Sequence, residues 1–245
     1  MPLLVQSAES LSPAPRFMSI HNAAGDYRAV NIRTMDGGMM YDLICRDRVF
    51  TNVRIPTLGQ HNVYNSLAAF AVGTILGFSE DTIRRGLMAF CGADMRQKIY
   101  KMGQITVIED CYNASPESMR AALDVLISVA AQKKGRPVAL LGDMLELGDS
   151  SRLLHDQLGQ YAAHVKVSRL YCYGMMADVV AEAAVRGGIR ADNVHVSLDA
   201  RDPQTMADMI RATMEPGDVL LVKASRGVSA ERVLECLKSR RRKKV

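Results

Sequence analysis

The sequence predicts an α/β protein whose second half forms a doubly wound parallel sheet. From residue 104 onward, strand patterns alternate strictly with helix patterns, which gives five βα units. The predicted strands are short, continuous apolar runs, as expected where helices cover both faces of a sheet. With 245 residues, 48% of them hydrophobic, the chain is long enough to bury a sizeable core.

The first half is predicted to contain strands followed by two helices. Residues 26–55 have the pattern of two or three short strands, broken by Asp36-Gly37-Gly38 and by the charged segment CRDR. Residues 61–77 carry apolar residues at helical spacing, and Gly77 suits the end of that helix. A second helix is predicted to begin at Ser79, an N-cap followed by acidic residues in the first turn.

The second half is predicted to contain five strands, each followed by a helix. The strands are QITVIED, PVALLGD, RLYCYG, NVHVS and DVLLVKAS. The helices are PESMRAALDVLISVAAQ, SRLLHDQLGQYAAHV, MADVVAEAAVRG, PQTMADMIRATM and SAERVLECLKS. Ser115 and Pro116 suit the N-cap and the first turn of the first of these helices. In open parallel sheets ligands bind beyond the carboxyl ends of the strands, so the predicted site comprises the loops EDCYNASPES, GDMLELGDSS and KASRGVS.

The net charge of +5 comes from the C-terminus. The last eight residues, KSRRRKKV, carry six positive charges, which leaves about −1 for the rest of the chain. The folded part therefore has no bias toward nucleic acid. A nucleic-acid role for the tail stays possible, but a solvated helix end is the preferred interpretation.

Cysteine usage and apolar stretches favour a cytoplasmic protein. The five cysteines are scattered and form no C-x-x-C pair, which argues against a zinc site and a disulfide framework. The N-terminus has no signal-peptide pattern. The longest apolar stretch, LAAFAVGTIL, is about half the length that a bilayer requires, so no membrane insertion is expected.

The first loop, EDCYNASPES, offers ligand-binding groups directly after a strand. Asp110 could accept hydrogen bonds from a ribose diol, and Tyr112 could stack or donate a bond. Asn113 has no capping role to explain it, although an Asx-type turn could absorb either Asp110 or Asn113. Ligand contact and turn formation both stay open for this loop.

The second loop carries three acidic residues, Asp143, Glu146 and Asp149, whose spacing matches no calcium loop. We expect it to capture a substrate ammonium group rather than a metal. His155, in the helix that follows, is expected to be structural or capping, with general base as the alternative.

In the third loop, Lys223 and Arg226 flank Ser225 just before a helix start, which suits an anion site for carboxylate or phosphate. Two surface charges are the alternative interpretation.

Elsewhere, His61, Asn62 and Asn65 lie in the opening turn of a predicted helix, where helix capping is the simplest interpretation of asparagine. Arg96 could bind phosphate or face water. The sequence contains no Gly-Lys dipeptide and no G-x-G-x-x-G turn, so it holds no Walker A loop.

Four segments resemble the Mur ligase family: GQHNVYNSLAAFAVGTILG, EDCYNASPESMRAALDVL, VALLGDMLELGDSSRLLHDQLG and LLVKASRGVSAERVLECL. The HNxxN pattern in the first is shared with folylpolyglutamate synthetase. YNASPESM and LGDMLELG are more specific, and they resemble the member that adds D-alanyl-D-alanine to UDP-N-acetylmuramoyl-tripeptide.

The resemblance implies a division of the chain. Residues 1–91 would be the C-terminal part of a central ATP-binding domain, residues 92–103 a hinge, residues 104–238 a Rossmann-like C-terminal domain, and residues 239–245 a basic tail. It also implies a truncation, with the first domain, the Walker A loop, the magnesium-binding acidic residue and a carbamylated lysine upstream of Met1. No metal ligand is expected within this chain.

The resemblance also implies roles for site residues. The nucleotide-binding residues would be His61, Asn62 and Asn65 at the adenine, Asp110 at the ribose, with Tyr112 and Asn113 beside it, and Arg96 at the ATP phosphates. The residues that receive D-alanyl-D-alanine would be Asp143, Met144, Glu146, Lys223, Ser225 and Arg226. Two residues, Met95 and Ala224, replace glycines usual in the family.

The implied reaction is amide formation for peptidoglycan precursor synthesis, with ATP and Mg²⁺. A substrate carboxylate would attack the γ-phosphate of ATP, and the dipeptide amine would then attack the acyl phosphate. Without a Walker A lysine the chain alone is expected to be nearly inactive. The alternatives are a related ligase of folylpolyglutamate or cyanophycin type, a stand-alone binding domain, and one half of a split enzyme whose N-terminal half is a separate partner.

Overall fold

The computed structural model describes residues 18–20, 25–35, 37–90 and 97–239. The chain divides into two compact units, Met1–Cys91 and Gly92–Val245. Within the described ranges, no helix combines the length and apolarity needed to cross a membrane.

The first unit contains a four-stranded sheet in the order β1-β2-β3-β4. Its strands are β1 (Met18–Ser19), β2 (Tyr27–Met35), β3 (Gly38–Cys45) and β4 (Arg48–Ile55). β2, β3 and β4 form an antiparallel meander, and the short β1 runs parallel to β2. Gly37 and Arg46, both at positive φ, lie in the tight turns between these strands. Residues 26–55, predicted to form two or three strands, form three.

Among its described residues, the first unit also contains the helices α1 (Gln60–Ile75) and α2 (Glu80–Met88). Gly77 follows α1 at φ 78°, and the Ser79 hydroxyl caps α2 by accepting a hydrogen bond from the Thr82 N–H at 3.3 Å. Both predicted boundary signals are therefore confirmed. A buried hydrogen bond of 2.6 Å joins the Tyr41 hydroxyl on β3 to Ser66 on α1, and burial raises the pKa of Tyr41 to about 12.

The second unit contains a six-stranded sheet in the order β5-β6-β10-β7-β8-β9. Its strands are β5 (Lys98–Met102), β6 (Ile105–Asp110), β7 (Pro137–Gly142), β8 (Arg169–Tyr173), β9 (Val194–Ser197) and β10 (Val219–Lys223). The five predicted strands are all present and mutually parallel. β5, which pairs antiparallel with β6, lies within the segment predicted as a hinge.

Five helices cover this sheet: α3 (Pro116–Lys133), α4 (Ser151–His164), α5 (Ala177–Arg186), α6 (Pro203–Thr213) and α7 (Glu231–Lys238). Helices α6 and α7 share one apolar cluster with alternate strand residues such as Leu140 and Leu220. The intervening strand residues, such as Leu141 and Leu221, are also buried and face the side where α3, α4 and α5 pack. The doubly wound architecture is thus confirmed.

The position of β10 determines where the loops of this unit meet. β10 lies between β6 and β7, and Lys223 at its end pairs in register with Asp110 of β6 and Leu141 of β7. The carboxyl ends of these three strands are therefore adjacent, which brings the three predicted polar loops to one stretch of the sheet edge.

Close contact between α4 and α5 depends on Gly159. A Cβ at Gly159 would lie 2.2 Å from the Val180 carbonyl oxygen and 2.7 Å from the Ala183 Cβ. We expect Gly159→Ala to destabilise the second unit by about 3 kcal/mol, because backbone must move to admit the methyl group. Amide hydrogen exchange in α4 and α5 of the full chain measures this loss.

The matched control is Gly86→Ala in α2, where an added Cβ meets nothing within 4 Å. This substitution should stabilise the first unit by about 0.5–1 kcal/mol, since alanine loses less backbone entropy in a helix. If Gly159→Ala and Gly86→Ala changed stability equally, the α4–α5 contact would have room for a methyl group at position 159.

Candidate functional site

Lys223 fastens the loop after β6 to the end of β10. Its ammonium donates hydrogen bonds to Asp110 Oδ2 at 2.7 Å and to the Asn113 carbonyl oxygen at 2.9 Å. Only 2% of the Lys223 side chain is exposed, and only 13% of that of Asp110. The cation predicted to bind an external anion thus has an internal carboxylate partner.

Ser225 joins the loop after β10 to the loop after β7. Its backbone N–H donates to the Asp143 carbonyl oxygen at 3.0 Å, and its hydroxyl accepts from the Leu145 N–H at 3.0 Å. The residue is buried. Together, Lys223 and Ser225 tie the three loops into one framework.

The Asp143 carboxylate holds the loop between β8 and α5. It accepts backbone hydrogen bonds from Met175 at 2.7 Å and from Met176 at 3.0 Å, and the residue is buried. A Cβ on Gly174 would lie 2.5 Å from Asp143 Oδ2, and Gly174 has φ 121°, so this approach requires glycine. The Asp143 carboxylate, predicted to help capture a substrate ammonium group, therefore holds the backbone of Met175 and Met176 in place.

His155 fixes the middle of the β7 loop. Its Nε2 accepts a hydrogen bond from the Met144 N–H at 3.0 Å, so its Nδ1 carries the proton and donates to the Ser151 carbonyl oxygen at 2.7 Å. Both His155 and Met144 are buried. This arrangement agrees with the structural role predicted for His155 and leaves neither ring nitrogen for a substrate.

Four candidate residues are exposed on this framework: Tyr112, Asn113, Glu146 and Arg226. The Arg226 guanidinium lies over the Tyr112 ring, with Cζ 5.7 Å from the ring centroid. Asn113 Oδ1 accepts a hydrogen bond from the Ala114 N–H at 2.8 Å. Glu146 has φ 62°, a conformation that is uncommon for glutamate and often found at functional sites. These four residues form an exposed rim around the framework, and the rim combines an aromatic ring, a cation and an anion.

Cys111, between two candidate residues, anchors the β6 loop to the core. Its thiol is fully buried and donates to the Val222 carbonyl oxygen at 3.5 Å. Burial first, and then the carboxylates of Glu231, Glu109 and Asp110, raise the pKa of Cys111 to about 12. The thiol therefore stays protonated and is not a nucleophile.

In the first unit, the capping interpretation of the asparagines is wrong. The N-cap of α1 is Gly59, at φ 95°, and no side chain caps the helix. The Asn62 side chain instead donates to the Leu58 carbonyl oxygen at 2.8 Å and accepts from the Asn65 amide at 3.4 Å. His61 and Asn65 are exposed at the same end of the helix. His61, Asn62 and Asn65 therefore lie together in the first turns of α1.

Several residues for which the sequence predicts a role lie outside the described residues. These are Met95, Arg96 and residues 240–245 of the basic tail. Lys238, the last residue of α7, precedes the tail, and its ammonium lies 4.9 Å from the centroid of the Tyr100 ring.

Ala224, which replaces a glycine usual in the family, is accommodated by a second glycine. Ala224 is fully buried, and a Cβ built on Gly142 would lie 2.6 Å from the Ala224 Cβ. The alanine methyl group therefore occupies space that only a glycine at position 142 leaves free.

Two exposed apolar residues follow strands but were not predicted as site residues. Leu145, in the loop after β7, is 45% exposed, and Met175, in the loop after β8, is 80% exposed. An apolar residue within a loop that follows a strand is the sequence signal for both.

The described side chains can be tested for their fit to a metal ion and to a nucleotide. Across residues 18–20, 25–35, 37–90 and 97–239, no group of three His, Cys, Asp or Glu side chains could hold a metal ion. Polar and aromatic groups such as Asp110, Tyr112 and Asn113 suit the nucleoside end of a nucleotide. These side chains do not fit the phosphates and their metal, which need cations and a glycine-rich loop.

The fold and its loop framework define an α/β protein of the doubly wound class, with the candidate ligand site at the carboxyl edge of its sheet. Residues 95–226 match the family model "Mur ligase, glutamate ligase domain", and residues 4–73 match "Mur ligase middle domain". The chain therefore belongs to the Mur ligase family, as the sequence motifs predicted.

Similar proteins cover most of this chain but are longer. The UDP-N-acetylmuramoyl-tripeptide–D-alanyl-D-alanine ligase of Bacillus subtilis is 31% identical, over 96% of this chain and 49% of that protein. The ligase of the same name from Mycobacterium tuberculosis is 35% identical, over 76% and 39%. A crystal structure of MurF from Acinetobacter baumannii superposes with a TM-score of 0.75 at 30% identity, over 89% and 46%. The chain thus spans half or less of the length of these relatives.

Proposed function

We propose that this chain acts in the ATP-dependent ligation of D-alanyl-D-alanine to UDP-N-acetylmuramoyl-tripeptide, a step of cytoplasmic peptidoglycan precursor synthesis. Its second unit would supply the surface that binds the dipeptide. The observation that carries this proposal is the exposed pair Arg226 and Glu146 on a framework fixed by Lys223, Ser225 and Asp143. Relatives named for this reaction support it.

The charges of a zwitterionic dipeptide match the exposed residues rather than the buried ones. The Arg226 guanidinium can donate two hydrogen bonds to the dipeptide carboxylate, and Glu146 can accept from its ammonium. Lys223, Ser225 and Asp143 already have internal partners, so their role is to hold the loops in place.

Among the described residues, nucleotide contacts are assigned only to the nucleoside end of ATP. We assign His61, Asn62 and Asn65 to the adenine, and Asp110 with Tyr112 and Asn113 to the ribose. Because Asp110 Oδ2 is bonded to Lys223, Oδ1 is the atom assigned to a ribose hydroxyl. Arg96 is assigned to the phosphates. No step of phosphoryl transfer and no Mg²⁺ ligand is assigned to the described residues.

The activity assignment is tested by complementation. With Mg-ATP, UDP-N-acetylmuramoyl-tripeptide and D-alanyl-D-alanine, we expect the chain alone to release no phosphate, because its sequence lacks a Walker A loop. Adding a separately expressed polypeptide that corresponds to the first half of the Bacillus subtilis relative should restore dipeptide-dependent release. Full turnover by the chain alone would contradict the expectation that it is inactive. Absence of phosphate release in both mixtures would contradict the expectation that the added polypeptide restores activity.

The binding assignment is tested on Arg226. We expect Arg226→Gln to weaken D-alanyl-D-alanine binding about tenfold or more, because a charged hydrogen bond contributes about 1.5–3 kcal/mol. Isothermal titration of the full chain measures the affinity. Arg190→Gln is the matched control, since Arg190 is 80% exposed and lies in the segment after α5, at the opposite edge of the sheet. If both variants bound D-alanyl-D-alanine with equal affinity, Arg226 would not be part of the dipeptide site.

A further inference from the structure

Leu145 is an exposed apolar side chain close to the two charged residues assigned to the dipeptide. It precedes Glu146 directly in the chain, and 45% of it is exposed. Its Cδ1 lies 2.8 Å from the point where a Cβ on Gly227 would be, so it leans toward the residue that follows Arg226. Leu145 therefore lies next to Glu146 in the chain and against the residue that follows Arg226.

The backbone on which Leu145 sits is held at three successive residues. Asp143 is tied to Ser225 and to the loop before α5, Met144 donates to His155, and the Leu145 N–H donates to Ser225 Oγ at 3.0 Å. Nothing in this framework requires the exposed leucine side chain, because all these bonds are made by other groups. A fixed backbone that presents an exposed apolar group fits a preformed contact surface.

We propose that Leu145 is a specificity-determining residue whose side chain contacts a methyl group of the incoming dipeptide. This inference rests on the proposed function, because it takes the ligand of Arg226 and Glu146 to be D-alanyl-D-alanine. The dipeptide carries a carboxylate at one end, an ammonium at the other and two methyl groups between them. Its chemistry thus matches that of Arg226, Leu145 and Glu146.

The proposal predicts how binding depends on the methyl groups of the ligand. A methyl group in an apolar contact contributes about tenfold in selectivity. The full chain should therefore bind D-alanyl-D-alanine about tenfold more tightly than glycyl-glycine. Leu145→Ala should lower this ratio to about twofold, mainly by weakening D-alanyl-D-alanine binding, while glycyl-glycine binding stays nearly unchanged.

A second variant moves Leu145 without replacing it. Gly227→Ala places a methyl group against Leu145 Cδ1, the flexible end of its side chain, and should lower the same ratio. Val185→Ala is the control, since Val185 is 40% exposed in the last turn of α5, at the opposite edge of the sheet. It should leave the ratio at its original value.

Titration calorimetry with the two dipeptides separates the possible outcomes. A lower ratio in both Leu145→Ala and Gly227→Ala, with Val185→Ala unchanged, supports the proposal. Binding of D-alanyl-D-alanine by the unaltered chain, with the same ratio in Leu145→Ala, overturns the role of Leu145 and leaves the proposed function standing. No binding of D-alanyl-D-alanine by the unaltered chain overturns both.

Discussion

Replacing Lys223 by methionine is expected to destabilise the second unit by about 3–5 kcal/mol, because it leaves the Asp110 carboxylate nearly buried without its cation. The Asn113 carbonyl oxygen loses its hydrogen bond as well. The loss should be greatest at the junction of β6 and β10, and amide hydrogen exchange of these strands in the full chain measures it.

Two controls separate the buried charge from other effects of the Lys223 substitution. The double variant Asp110→Asn with Lys223→Met removes both charges and should recover much of the lost stability, since no uncompensated charge remains. Lys133→Met, at an exposed position near the end of α3, should change stability by less than about 0.5 kcal/mol. A similarly small effect of Lys223→Met would mean that the ion pair is not a structural element.

Asp143→Ala is the second substitution with a large expected effect. It removes the acceptor of two backbone hydrogen bonds, from Met175 and Met176, and each bond to a charged group contributes about 1.5–3 kcal/mol. We expect a loss of about 3–5 kcal/mol in the absence of any ligand, with fast amide exchange at residues 174–177. A ligand-free stability equal to that of the unaltered chain would instead favour the substrate role predicted from sequence.

Asp143→Asn refines this test. Asparagine keeps one acceptor oxygen but places an NH₂ group against the second backbone N–H, so about half of the loss should remain. If Asp143 acted only by charge on a substrate ammonium, the asparagine and alanine variants would be equally stable.

Local signals were enough to predict most of the elements. Ser79, Ser115 and Pro116 start helices in the structure as they do in the sequence pattern. β5 was missed because lysines interrupt its short sequence, KIYKM, and all five of its residues are exposed or half-exposed. An antiparallel strand at the edge of a sheet does not have the continuous apolar run that identifies a buried parallel strand.

The meeting of the three candidate loops could be predicted from sequence, but the internal partners of their charged residues could not. The rule for parallel sheets selects the three loops from strand order alone. The partner of Lys223 is 113 residues away in the sequence, so no local pattern indicates that its charge is already neutralised. The same holds for Asp143, whose backbone partners follow the next strand. Which charged residues face outward is a property of tertiary packing.

The central place of β10 has a consequence for how the second unit is made. β10 is synthesised after β6 and β7, yet both of these strands depend on it for a hydrogen-bonded neighbour. Until residues 219–223 emerge, two interior strands expose unpaired backbone and apolar faces, which favours aggregation of the nascent chain. Completion of the sheet therefore waits for β10 to emerge, and this is the stage at which binding by a chaperone would have the greatest effect on yield.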